Sequence, residues 1–383
     1  MGFQELTPTE LLGPGHAAPE INDTAWHVRW DAPDAPGASG VLAALPSEVE
    51  FRTSGSTGPS RSWQRTREDA WSEAGMLAGF VSAGEHGPPG AVVAFAPPLH
   101  VYGALASYLM PAVLGVPVWY RKSYAGAMPD TGHGHTVVVA TPWIFSLLLR
   151  NIDWVTSLDH LTVLYSSAML PGDAHTLLEQ AGPGRVTLVE LLGSTETGGI
   201  ATRRWSGGEP PAWTLFPDVS FRTDPHPAEA GGSAAELVIR SPRLGHETGR
   251  PRPADWRTGD LVEPVDARTF RLVGRVGRLV KVNGRRINLD EREHVLRAAV
   301  DCEDLALVAV GDAMTGEQID LHVVPAPGTD LSEVPALLGV RPRKVHRVPR
   351  IHRSATGKLL HHQPAPATPS PAPQTATQPR RES

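Results

Sequence analysis

The chain carries a single cysteine, Cys302, among 383 residues. An internal disulfide is therefore excluded, a reducing compartment suits the composition, and Cys302 reads as a small core residue rather than a nucleophile. No uninterrupted apolar run comes near the roughly 20 residues that a membrane-spanning helix needs, so a soluble protein is expected. The opening Met1-Gly2-Phe3-Gln4-Glu5-Leu6 lacks a basic segment followed by an apolar stretch. Secretory export finds no support there, and the cytoplasm is the expected location. Positive charge is not in excess either. A formal net charge of −6 gives no general attraction to nucleic acid, and the Arg- and Pro-rich stretch from Arg240 to Arg257 is spaced like a solvated loop joining two strands.

What is present has a globular balance, with 40% hydrophobic and 20% charged residues, and the length suits a large domain followed by a smaller one. Apolar β-rich runs at Ala91 to Pro97, Val116 to Tyr120, Thr136 to Thr141, Leu161 to Ser166 and Val186 to Leu191 alternate with helical spacing at Tyr102 to Leu114, Trp143 to Arg150 and Asp173 to Ala181. That alternation predicts a layered α/β sheet with crossover helices. Beyond about Thr214 the helical spacing stops, and segments around Val219, Leu237 to Arg240 and Leu261 to Val273 predict a β subdomain linked by Gly/Pro-rich turns. From Arg278 the spacing predicts a small α+β domain: a hairpin (Leu279 to Ile287), a helix opening near Asp290, strands at Leu305 to Val310 and Ile319 to Val324, and a short helix from Ser332. After His362 the composition turns to Pro, Ala, Thr and Gln, which buries too little apolar surface to offset ordering entropy.

The strongest local signal is Thr53-Ser54-Gly55-Ser56-Thr57-Gly58-Pro59-Ser60-Arg61, just after the strand-like Val49 to Arg52. Glycines there let backbone N–H groups approach an anion, hydroxyls add donors and Arg61 adds a charge-assisted contact. The spacing is not that of a GxxxxGK[ST] loop. By itself the run is either a phosphate cradle or a flexible surface turn.

It is followed, in order, by Pro98-Leu99-His100-Val101-Tyr102-Gly103, Ser166-Ser167-Ala168, Gly193-Ser194-Thr195-Glu196, Glu236-Leu237 with Arg240-Ser241-Pro242, Arg257-Thr258-Gly259-Asp260, Gly274-Arg275, Lys281 with Gly284-Arg285-Arg286-Ile287, and Gly357-Lys358. The series, spanning Arg52 to His361, resembles the ANL superfamily of adenylate-forming enzymes: acyl-CoA synthetases, nonribosomal-peptide adenylation domains and luciferases. The resemblance implies a large adenylation domain over 1–274, shortened at its N-terminus, a hinge at 275–277 that includes Gly277, a small mobile domain over 278–362 and a disordered tail over 363–383. It implies ATP and Mg²⁺ as cofactors. A small carboxylic acid would be the substrate, with coenzyme A or an acyl or peptidyl carrier protein as thiol acceptor.

Residue by residue, the resemblance makes Thr53, Ser54, Gly55, Ser56, Thr57, Gly58, Arg61, Ser167, Ala168, Gly193, Ser194 and Arg275 nucleotide contacts. Glu196 would be the carboxylate that holds Mg²⁺, and Asp260 the acceptor of the ribose hydroxyls. Lys358 would bridge the acid and the α-phosphate, where a mobile ammonium stabilises charge building on the transferring phosphorus. Thr195 and His100 would join it at the reacting groups, and Lys281 would face them only after the small domain rotates. Tyr102 and Trp143 could wall the acyl pocket, although core packing is the default for aromatics. Against the family pattern Leu192 stands where an aromatic usually covers adenine, Arg61 where lysine is usual, Gly277 at the usual hinge aspartate or lysine, and His352 at a common proline. Two other readings stay open: an adenylating enzyme with an amine acceptor or an inorganic oxyanion substrate, and a catalytically silent nucleotide-binding module. Because the tail is expected to bury nothing, deleting 363–383 should leave the thermal unfolding midpoint unchanged; a clear drop in that midpoint would show that the tail docks.

Overall fold

The computed structural model of the chain describes residues 2–52, 61–123, 126–166, 170–225, 235–282, 285–312, 316–353 and 359; the expected tail lies outside them. Four strands, Ala91–Ala94, His135–Ala140, His160–Tyr165 and Val186–Ser194, run parallel side by side. In the first three every residue is buried, as expected where helices cover both faces of a parallel sheet. Side-chain alternation divides the two layers. Val93, Val138, Leu161 and Val163 pack with the helices Pro142–Arg150 and Asp173–Ala181. Val92, Val137, Val139 and Leu164 face the opposite way, toward helix Arg67–Ser82 and the helical stretch from Val101 to Leu114. That stretch is a single run by sequence spacing, but its middle, Ala104–Leu109, is wound as a π-helix, and the buried Ser107 hydroxyl there donates to the Ala96 carbonyl at 2.8 Å.

The β-rich stretch after Thr214, expected as a β subdomain, extends the large sheet. Strand Val186–Ser194 turns back through 195–197 into Gly198–Trp205, its antiparallel partner. From there Trp213–Leu215, Thr269–Arg275, Trp256–Pro264, Ala235–Arg240 and Ser220–Pro225 continue the same sheet, each antiparallel to its neighbour. Antiparallel neighbours need only short turns, so no crossover helices are required. At the other edge Val118–Tyr120 pairs with Trp26–Val28, and that with Gln4–Leu6, two strands that periodicity did not announce. A separate hairpin joins Glu48–Arg52 to Ser62–Thr66.

The small C-terminal part has its own core around Leu296, Leu307, Leu321 and Val323, built by the hairpin Leu279–Val282/Arg285–Asn288, helix Leu289–Ala299 and the long antiparallel pair Cys302–Asp312/Gly316–Pro325. Asn288 ties it to the large sheet. Its side-chain oxygen caps the helix at the N–H groups of Asp290 and Glu291, while its amide donates to the Val273 carbonyl at 2.7 Å. Gly274 leaves the room for this, because a Cβ there would overlap the Asn288 side chain.

At the amino-terminal ends of the parallel strands, His135 and His160 sit opposite each other in register. His135 reaches the Gly87 carbonyl through Nδ1 and the Thr162 hydroxyl through Nε2, both at 2.9 Å. His160, 1% exposed, stacks face to face on His86 at 3.7 Å between ring centroids, and its Nε2 has no partner among the described residues. Burial, with His86, His135 and Arg204 adding like charge, pushes the His160 imidazole down to about 4. A histidine whose folded pKa lies below its unfolded value near 6.5 refuses a proton that the unfolded chain accepts, so stability is lost progressively as pH falls from about 6.5 toward 4. His160→Phe keeps the stack and removes the titration; urea unfolding across that window should show a shallower pH dependence than wild type, and an unchanged slope would acquit the cluster.

Candidate active site

The reversal between Val186–Ser194 and Gly198–Trp205 falls at the carboxyl end of a parallel strand that is flanked on one side by parallel and on the other by antiparallel neighbours. Ligands of open α/β sheets bind outside that end of the strands. Here the chain reads Gly193-Ser194-Thr195-Glu196-Thr197-Gly198, and the turn is locked from within. The Thr197 hydroxyl accepts the Ser194 N–H at 3.0 Å and donates to the Gly198 carbonyl at 2.9 Å. Gly193 cannot carry a side chain, since its Cβ would fall on the Gly198 carbonyl. Gly198, at φ +70°, occupies the left-handed region that favours glycine.

Beneath the turn lies a buried set of charges that sequence patterning does not reveal. Glu73, 2% exposed, accepts from the Gly199 N–H at 2.6 Å, from Arg243 at 2.6 Å and from Arg65 at 3.1 Å. Arg65 is fully buried and donates onward to the Thr195 carbonyl at 2.7 Å and, at 3.5 Å, to that of Ser194. Arg243 grips Asp218 through two bonds of 2.6 and 2.8 Å and the Gly199 carbonyl at 3.0 Å. Burial pushes the Arg243 guanidinium down, but Glu73 and Asp218 outweigh it and hold it above its ordinary value. A trace of this was available in the sequence: Ala70, Ala74, Leu77, Ala78 and Val81 form the buried stripe of helix Arg67–Ser82, and Glu73 interrupts it.

The segment around Gly245 adjoins the same turn and links it to the strand after Arg61. Strand Ser62–Thr66, which follows Arg61, bridges to His246 through Gln64, and the Gly245 N–H donates to the Glu196 carbonyl at 2.7 Å. Arg61 pairs with Glu247 at 3.5 Å. The Glu196 side chain is partly exposed, and the described residues offer its carboxylate no hydrogen-bond donor or salt-bridge partner. His100 stands at the start of the short helix Val101–Gly103, in a loop so tight that a Cβ at Gly103 would overlap the Pro97 carbonyl. The neighbouring Tyr102 hydroxyl donates to the Leu164 carbonyl at 2.6 Å and, more weakly, to that of Ala140 at 3.2 Å, at the ends of two parallel strands; it is therefore a structural tie. Trp143 is 55% exposed.

Asp260 and Arg275 are cross-strand partners. The Arg275 Nε donates to the Asp260 carboxylate at 2.8 Å, and burial raises that carboxyl above its ordinary value while Arg275 opposes the rise. Thr53, Ser54, Gly55, Ser56, Thr57, Gly58, Ser167, Ala168 and Lys358 lie outside the described residues, as does the side chain of Lys281, on strand Leu279–Val282.

The model of the AMP-binding enzyme family matches residues 52–245, about half the chain, and takes in the strand-flanked loop, the turn and Arg243. The chain belongs to this family of adenylate-forming enzymes. It is 29% identical to 4-coumarate–CoA ligase of Rhodobacter capsulatus over 70% of this chain and 62% of that protein. With acyl-CoA synthetase 7 of Caenorhabditis elegans the identity is 30%, over 58% of this chain and 44% of that one. The chain thus spans less than two thirds of either relative. Among solved structures, ATP-bound MatB from Rhodopseudomonas palustris superimposes with a TM-score of 0.66 at 20% identity, over 88% of this chain and 73% of that one, a likeness of fold. No helix among the described residues is long and apolar enough to cross a membrane.

Gly198 tests the clamp. Its added Cβ would sit 2.5 Å from the Glu73 carboxylate and 2.7 Å from Arg65, on top of the cost of a positive φ. Gly198→Ala is expected to lose about 2 kcal/mol or more of unfolding free energy in a urea titration. A loss within error of zero would mean that the turn has slack.

Proposed function

We propose that the chain is an ATP-dependent ligase that joins a carboxylic acid to a thiol through an acyl-adenylate. The observation that carries the reading is the clamped turn, whose Glu196 carboxylate is left without a donor among the described residues while its backbone is held at three carbonyls. In the first half-reaction a carboxylate oxygen of the acid attacks the α-phosphorus of ATP, the bond to the bridging oxygen breaks, and pyrophosphate leaves. In the second, a thiol sulfur attacks the acyl carbon, its proton goes to solvent or a base, and AMP departs.

The residues fit those needs. The turn offers backbone and hydroxyl donors for the phosphates, and the Thr53–Arg61 motif is assigned the same task by its residue types. Asp260, already holding one charged donor, has lone pairs left for ribose hydroxyls. Glu196 is a single open carboxylate, and no cluster of three metal-ligating side chains exists among the described residues; such a site suits Mg²⁺, which keeps several waters and binds through one or two carboxylates plus substrate phosphates. When bound, the ion would neutralise phosphate charge. Lys358 is assigned the positive charge between the two reacting anions, and His100 the place facing the carboxylate.

The acceptor is a thiol, of coenzyme A as the names of the two relatives above support, or of a carrier protein. The first test is isotope exchange between pyrophosphate and ATP over a panel of aryl and alkyl acids; exchange that never depends on an added acid would defeat the proposal. Lys358→Ala should then slow acid-dependent exchange about 10²-fold or more and leave transfer from a preformed acyl-adenylate nearly intact. Equal loss of both steps would rule Lys358 out as the bridge between the anions.

A further inference from the structure

Arg65 is hard to explain as a stabilising residue. Its side chain is 0% exposed, and its Nε has no partner among the described residues. Burial is the largest influence on its guanidinium and pushes it down, against the pull of Glu73. Buried ion pairs often stabilise no better than an apolar side chain of similar volume, and an orphaned donor adds a further cost. Strand Ser62–Thr66 turns Trp63 and Arg65 to the same buried side, where an aliphatic side chain would satisfy packing alone. Arg65 and Glu73 are paired at the turn where the last of the parallel strands meets its antiparallel partner.

What Arg65 does there follows from peptide geometry. In a trans peptide the carbonyl and the following N–H point in opposite directions. Arg65 draws the Ser194 and Thr195 carbonyls inward, so the N–H groups of Thr195 and Glu196 face out of the turn. Neither donates to a described backbone acceptor. Successive N–H groups turned to one side form an anion-binding concavity, and a fixed positive charge lies directly behind this one.

We propose that Arg65 is a positioning residue for ATP: from beneath the turn it fixes the peptide planes of Ser194 to Glu196 so that two N–H groups and a buried positive charge meet the anionic phosphates. Glu73 keeps Arg65 in place, and Arg243 with the Gly199 N–H keeps Glu73 oriented. The ligand class is a polyphosphate, and the inference rests on the proposed use of ATP.

The experiment is calorimetric titration of the full chain with MgATP and, separately, with AMP. Arg65→Met removes the arm to Thr195 but leaves Glu73 held by Arg243 and Gly199, so no buried carboxylate loses all its donors. The expected result is MgATP affinity about tenfold or more weaker, the worth of a charge-assisted hydrogen bond, with AMP affinity changed less than twofold and the KM for the acid unchanged. Arg65→Lys guards against a folding defect. Its ammonium keeps the charge and reaches Glu73 or the Thr195 carbonyl but not both, so MgATP affinity should fall between wild type and Arg65→Met. Equal affinity for MgATP in wild type and either folded variant overturns the positioning role, and so does a matching loss of MgATP and AMP binding. Wild-type protein that binds neither nucleotide would instead sink the proposed function.

Discussion

A buried carboxylate shared by two buried guanidinium groups is the constraint on which the arrangement of this protein turns. Glu73 comes from the first long helix, Arg65 from a strand just before it and Arg243 from a loop 170 positions later. Removing Glu73 would leave the fully buried Arg65 without its counter-charge, at a cost of about 3–5 kcal/mol, a large part of the stability of an ordinary domain. The three segments therefore cannot drift apart without great loss. What they enclose is the single turn at which a parallel sheet becomes an antiparallel one.

That position ties architecture to chemistry. Parallel strands need crossover helices and leave an open cleft at their carboxyl ends, whereas antiparallel strands can follow one another through tight turns. By reversing direction at Thr195 to Thr197 the chain places a polar turn at the cleft and carries the sheet onward to Asp260 and Arg275 without a break. The proposed phosphate and ribose contacts would thereby lie on one continuous, hydrogen-bonded sheet. The Asn288 amide joins the small C-terminal part to this sheet at Val273.

Much of this was legible in the sequence, and the boundary of legibility has a physical cause. The parallel strands and helix Asp173–Ala181 announced themselves through periodicity, because each buries a face of uniform chemistry. The motif residues Gly193, Ser194, Glu196, Asp260 and Arg275 were singled out through the family resemblance, and the structure sets the first three at one strand reversal and pairs the last two across neighbouring strands. The clamp was not. Arg65, Glu73, Asp218 and Arg243 are ordinary charged residues whose meaning lies in mutual contact across long separations, and single-sequence patterning carries no information on such contacts. Trp26–Val28 and Gln4–Leu6 escaped for another reason: strands of three residues are too short to show a period.

The division of labour within the site also explains why departures from the family pattern are tolerable. Leu192 in place of an aromatic weakens stacking on a purine, and such contacts are worth about 1 kcal/mol beyond area. The phosphate end, by contrast, is organised by charge-assisted bonds inside a low-dielectric interior, where each is worth more. Affinity for a nucleotide can then be anchored at its polyphosphate end while the base is held loosely. An enzyme arranged this way would depend on the β- and γ-phosphates for binding and would release AMP readily once pyrophosphate has gone. Loose holding of AMP favours turnover only if the acyl-adenylate itself is retained by its acyl group. Under the proposed function that retention would come from the surroundings of His100 and of Tyr102, the latter tied to the ends of the parallel strands.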